Sequence, residues 1–207
     1  MELGRPLSTI TPTLDGDVLA ILAKSDVEFT PGQLHRMLPR NSVEGIRKVL
    51  RRLADQGVVL AKQVGGAYSY RFNRDHLAAE YIIGLAELPA KLLQHLEDRL
   101  TAWDPAPVYA AVFGSAVRGS MTTESDLDIL LIRPDDVDDA GWETQVDDLA
   151  AAVTRWTGNE ARPLVFTETE LVDRGRDEPV LRDVLAEGLT VAGTRAWLNR
   201  KLRAESD

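Results

Sequence analysis

The sequence predicts an α+β protein of more than one domain: a helical N-terminal domain closed by a hairpin, a helical connector, and a C-terminal α/β domain with a small mixed sheet. Three observations carry this. Apolar residues keep helical spacing up to Gly57 and then switch to the alternation of strands. Asp104-Pro105-Ala106-Pro107 is the strongest break in the chain. Beyond it, strand-length apolar runs alternate with helix-length ones. The expected divisions are 1–75, 76–103 and 104–207.

In the first domain Leu14, Val18, Leu19, Ile21 and Leu22 recur at helical spacing, with Asp15 and Asp17 where a helix N-terminus favours negative charge. Thr30-Pro31-Gly32-Gln33 opens a second helix: Thr30 caps, Pro31 suits the first turn, and Gln33 completes a capping box. Leu34, Met37 and Leu38 form its apolar face. A third helix opens at Asn41, with Glu44 three residues on. Val43, Ile46, Val49, Leu50 and Leu53 share one side, while Arg47, Lys48, Arg51 and Arg52 lie largely on the other, and Gly57 is the stop. Strands at 58–64 and 67–72 flank Gly65-Gly66, a two-residue hairpin signal. Tyr68, Tyr70 and Phe72 alternate with Ser69 and Arg71, as on a strand with one buried face.

Three helices followed by a hairpin resemble the winged-helix (helix-turn-helix) DNA-binding domain, on order and spacing alone. The resemblance implies that the third helix enters a DNA groove, with Arg40, Ser42, Arg47, Lys48 and Arg51 near the nucleic acid. Lys62 and Arg71 of the hairpin would meet backbone phosphate.

Residues 76–103 keep helical spacing through Leu77, Tyr81, Ile82, Leu85 and Leu88, then Leu92, Leu93, Leu96 and Leu100, with Pro89 expected to kink or split the segment. In the C-terminal domain, strands are expected at 108–113, 127–132, 164–167 and 189–192. Helices are expected just after the first strand, at 142–156 and at 180–185.

With 207 residues, 44% of them hydrophobic, the chain has the apolar material for real cores, which excludes a disordered or collagen-like polymer. No stretch approaches the roughly 20 apolar residues of a membrane span, and the first ten residues lack a signal peptide's apolar core. The expectation is a cytoplasmic protein without a membrane partner. Absence of cysteine excludes disulfides, a thiolate nucleophile and a thiolate zinc site. The net charge of −9 is unevenly spread: residues 1–75 carry 11 Lys/Arg against 8 Asp/Glu, and residues 104–207 carry 11 against 21. The acidic half excludes whole-chain adhesion to nucleic acid and leaves the first third free to bind it.

The chemically informative stretch is Phe113-Gly114-Ser115-Ala116-Val117-Arg118-Gly119, followed by Ser125-Asp126-Leu127-Asp128-Ile129. Gly114 lets backbone approach a phosphate with no Cβ in the way. Ser115 and the N–H groups of the following helix end can donate to phosphate oxygens. Strand alternation puts Asp126 and Asp128 on one face with Cβ atoms about 6–7 Å apart. Two convergent carboxylates beside a phosphate cradle suit Mg²⁺, which bridges a few carboxylates to substrate oxygens.

These residues resemble the polymerase β-like nucleotidyltransferase superfamily, particularly its minimal bacterial members, over 107–133. Arg118-Gly119 and Ser125 also match those minimal forms. The resemblance implies that Asp126 and Asp128 hold one or two Mg²⁺ ions, and that Gly114, Ser115, Arg118 and Ser125 bind a nucleoside triphosphate. It further implies that an acceptor hydroxyl attacks the α-phosphorus and releases pyrophosphate. One departure stands out. The family places a third carboxylate on the strand after the next helix, and here Arg162-Pro163-Leu164-Val165-Phe166-Thr167 has no acid at its centre. Glu160 precedes that strand and Glu168 ends it; Glu168 is the candidate third ligand, while Thr167-Glu168-Thr169-Glu170 equally reads as the cap region of a solvated helix.

His35, His76 and His95 lack metal-ligand spacing, and Trp103, Trp142, Trp156 and Trp197 fall in apolar helical patterns. Asp135-Asp136-Val137-Asp138-Asp139 reads as a solvated helix start without the glycine and terminal glutamate of a calcium loop. Three functional readings follow. One is a Mg²⁺-dependent nucleotidyltransferase. Another is a DNA-binding transcriptional regulator whose weak or inactive C-terminal domain senses nucleotide or forms a homodimer. The third, from the resemblance, is a toxin–antitoxin component with a protein partner.

Overall fold

The computed structural model describes residues 1–175 and 177–203 and divides the chain after Pro89. One unit is Arg5–Pro89; the other joins Met1–Gly4 to the chain from Ala90 onward. Each is a mixture of helices with one small sheet.

In the first unit a 3₁₀ turn, Pro6–Thr9, precedes α1 (Leu14–Ala23), α2 (Pro31–Met37) and α3 (Val43–Asp55). The capping box of α2 forms as expected: the Gln33 N–H donates to Thr30 Oγ1 at 3.3 Å, and the Thr30 N–H donates to Gln33 Oε1 at 2.7 Å. Helix α3 is capped by Ser42 rather than Asn41, its hydroxyl accepting from the Gly45 N–H at 3.0 Å. Ile46, Val49, Leu50 and Leu53 are buried along one stripe of α3. Each such side chain contributes about 1.5–3 kcal/mol of transfer free energy.

Strands β1 (Val59–Val64) and β2 (Ala67–Phe72) pair antiparallel about Gly65-Gly66, with Gly65 at positive φ. The expected alternation breaks at Ser69. It is 7% exposed because its hydroxyl donates to Glu28 at 2.7 Å, while Tyr68 faces out. Helix α4 (Ala79–Ala86) buries Ala79 and Ala86 in the core of this unit.

Helix α5 (Leu88–Thr101) begins one residue before Pro89, which sits in the first turn where its missing N–H costs nothing. Leu92, Leu96 and Leu100 pack in the core of the other unit. The segment expected as a separate connector is thus two helices whose apolar faces serve two different cores.

The second unit contains β3 (Tyr109–Phe113), one-turn α6 (Ser115–Arg118), β4 (Leu127–Arg133), α7 (Asp139–Thr157) and β5 (Ala161–Thr167). Next come α8 (Glu168–Arg174), α9 (Pro179–Glu187), β6 (Leu189–Ala192) and α10 (Arg195–Arg203). Sheet order is β5-β4-β3-β6, with β4 and β5 parallel and the other pairs antiparallel. Both faces are covered. Ala110, Val112, Leu127, Ile129 and Leu131 pack with α5 and α7, while Tyr109, Ala111, Leu130 and Ile132 pack with α8, α9 and α10. A strand buried on both faces reads as a continuous apolar run, which is why β3 and β4 were legible in sequence. The acidic run is used for caps: Asp138 accepts from the Gly141 N–H, and Asp135 from the Thr169 N–H and hydroxyl. Among the described residues no helix is long and apolar enough to cross a membrane.

Candidate active site

Strand β3 delivers the chain to the site. Phe113 pairs with Asp128 across the antiparallel ladder. Gly114 follows at φ 74° and ψ −143°, a conformation that side chains exclude. A Cβ placed at Gly114 would fall on the Asp128 carboxylate. The glycine–serine bend and the second aspartate are therefore side by side.

Asp126 immediately precedes β4 and Asp128 is its second residue, so alternation gives them one face. Asp128 senses its surroundings: burial first, and the charge of Asp126 second, push its pKa up, against the pull of Arg162 and Arg118. The turn leading to Asp126 is fixed from beneath by Asn159, which is 1% exposed. Its amide donates to the carbonyls of Thr122 at 3.1 Å and Ser125 at 2.8 Å. Asn159 is a positioning residue that sequence reading missed.

Arg162 was also missed. It stands in register with Asp128 on the edge strand β5, and its Nη1 lies 2.9 Å from Asp126 Oδ2. The available signal was its place on the strand where an acid was sought. Arg118, at the end of α6, ion-pairs with Glu187. The Ser115 hydroxyl has no hydrogen-bond partner among the described residues, whereas the Ser125 hydroxyl is engaged by Thr122. Because α6 is a single turn, the bend offers little helix dipole.

The two candidates for a third acid do not join the pair. Glu160 is exposed, although its carbonyl accepts from the Leu127 N–H at 2.8 Å. Glu168 lies beyond the far end of β5, roughly 20 Å of strand from Arg162, and pairs with Lys201 at 2.9 Å. Among the described residues no group of three His, Cys, Asp or Glu side chains gathers. The donor set present, two adjacent carboxylates, fits one divalent cation completed by water and phosphate oxygens.

In the first unit, Arg47 and Arg51 pair with Glu44 at 3.4 and 3.5 Å, Arg52 with Asp15, and Lys62 with Glu28 at 3.4 Å. Ser42 is spent as the α3 cap, Arg40 and Lys48 are exposed, and Arg71 contributes charge near Glu28. The histidines are used locally, His35 at the Asn41 carbonyl, His76 at the Ala78 N–H and His95 edge-on to Trp156.

Residues 91–178 match the nucleotidyltransferase domain family. None of the curated proteins matches the chain. Among solved structures the chain is similar to one described as a toxin–antitoxin with AMP-PNP, at 19% identity, covering 56% of this chain and 81% of that one, with a TM-score of 0.38. It is also similar to the toxin–antitoxin MntA–HepT, at 16% identity over 55% and 80% of the two chains, TM-score 0.37. A third is the complex of the tri-AMPylated Shewanella oneidensis HEPN toxin with MNT antitoxin, at 18% identity over 56% and 77%, TM-score 0.33.

Two outcomes test this site. Gly114→Ala forces a side chain into the Asp128 carboxylate from a backbone glycine alone adopts, so thermal unfolding should show a loss of about 1–3 kcal/mol or more. The raised pKa of Asp128 means the folded chain holds that proton more tightly than the unfolded one. Its stabilisation is complete below the ordinary aspartate value and lost as pH rises through the raised one. Asp128→Asn should therefore raise the melting temperature relative to wild type at neutral pH, with the gain vanishing in acid.

Proposed function

We propose that the nucleotidyltransferase domain transfers a nucleotidyl group from a nucleoside triphosphate to an acceptor hydroxyl. Asp126 and Asp128 would hold one Mg²⁺, and Gly114 and Ser115 would seat the phosphates. The observation supporting this reading is the close approach of Gly114 to the Asp128 carboxylate, as a phosphate cradle beside metal-type ligands would require. Gly114 lets the main chain lie directly against the Asp128 carboxylate, where the Cβ of any other residue would intrude. Ser115 offers a hydroxyl donor, and Arg118 can exchange its half-exposed pair with Glu187 for a phosphate. Bound Mg²⁺ would supply charge neutralisation at the α-phosphate. The acceptor oxygen forms the new bond to the α-phosphorus as the bridging bond from that phosphorus to the β-phosphate oxygen breaks, pyrophosphate leaves, and the hydroxyl proton passes to solvent. Positioning and electrostatics carry most of the catalysis in such transfers.

The test is incubation of the full chain with Mg²⁺, α-labelled nucleotides and a lysate. A labelled product that disappears with Asp126→Ala/Asp128→Ala is expected; unchanged labelling, or none, removes the proposal. Label on a co-purifying small protein would make the chain half of a toxin–antitoxin pair.

A second reading concerns the first unit. Arg47 and Arg51 of α3 and Tyr68 of the hairpin line one open groove of about 830 Å³, with aromatic and basic surface together. Their pairs with Glu44 are more than half exposed and worth little, so phosphate can displace them. In this reading the winged helix binds DNA and the C-terminal domain senses nucleotide or dimerises. Retarded upstream DNA is expected at ~50 mM salt, weakening steeply by ~200 mM and lost with Arg47→Ala/Arg51→Ala. Unshifted DNA at both concentrations rejects it.

A further inference from the structure

Arg162 occupies the strand position facing the metal-type aspartates, and its charge is opposite to that of a ligand. It lies level with Asp128 and touches Asp126. Pro163 follows it, holding Arg162 extended on an edge strand. Its side chain is 67% exposed, against 31% for Asp126, so the guanidinium is the freer partner of the pair.

With Arg162 in place the two carboxylates carry one net negative charge, too little to gather two divalent cations. Once a single divalent cation is added, the same cluster turns net positive. Such a cluster attracts a polyphosphate and repels a second cation. A guanidinium is also suited to phosphate, since it donates two parallel N–H groups to paired oxygens.

We infer that Arg162 is a movable counter-ion for the site: it neutralises Asp126 when the site is empty, yields that carboxylate to a single divalent cation, and turns to the triphosphate. This rests on reading Asp126 and Asp128 as metal ligands. Arg162 thereby makes metal binding weak alone and stronger with nucleotide, so the two ligands bind as one.

The experiment is Mn²⁺ titration of the full chain, following free Mn²⁺ by electron paramagnetic resonance with and without AMP-PNP, for wild type, Arg162→Ala and Asp126→Asn. Circular dichroism checks the fold of each variant, and Arg162→Lys serves as a second, charge-conserving substitution. Wild type should bind one Mn²⁺. Arg162→Ala should bind Mn²⁺ alone roughly fivefold tighter and AMP-PNP, at saturating Mn²⁺, roughly tenfold more weakly. Arg162→Lys should fall between the two. If either change is missing in Arg162→Ala while Asp126→Asn abolishes Mn²⁺ binding, the role of Arg162 is overturned and the metal reading survives. If wild type binds no Mn²⁺ with or without AMP-PNP, the metal reading fails and takes this inference with it.

Discussion

The close approach of Gly114 to the Asp128 carboxylate constrains the rest of the C-terminal unit. For a carboxylate to lie against main chain, the facing residue must lack a Cβ and take up a positive φ, and β3 and β4 must be paired in the register that sets Phe113 opposite Asp128. That register is held because both faces of β3 and β4 are buried. A slip by one residue would exchange Leu130 and Ile132 for Ile129 and Leu131 and carry Asp128 into the core. Packing on both sides of the sheet thus fixes where a single polar side chain emerges.

Charge around that point is arranged in compensating pairs: Asp126 with Arg162, Arg118 with Glu187. Asp128 is the member without a dedicated cation, feeling both arginines at a distance, and burial together with Asp126 wins over them. The site is therefore polarised before any ligand arrives. Its carboxylates are close enough to repel and its arginines exposed enough to be redirected.

What could be read in the sequence were features whose causes are local. The Thr30/Gln33 capping box, the Gly65-Gly66 hairpin and the Gly-Ser and Asp-x-Asp spacing depend on neighbours a few residues away. Strand alternation grouped Asp126 with Asp128, whereas the approach of Gly114 to Asp128 depends on the β3–β4 register. Features set by tertiary structure were not legible. Ser69 is buried by Glu28, 41 residues away, and Asn159 supports carbonyls 34 and 37 residues away. The start of α8 was legible as the Thr167/Glu170 cap, but α10 escaped because Leu198 and Leu202 are few among charges and find their apolar neighbours only in the assembled sheet. Pro89 announced a break, but which core each helix joins was decided by packing. Glu168 ended the expected strand in sequence, yet strand length alone carried it away from the aspartates.

The unit that begins again at Ala90 also owns Met1–Gly4. Leu3 lies in its core, and Gly4 packs against the Gly119 backbone, just past the turn that carries Ser115 and Arg118. The support behind the Ser115–Gly119 turn is thus borrowed from residues more than a hundred positions earlier in the sequence. Cutting the chain after Pro89 would yield a C-terminal fragment missing one of its own walls.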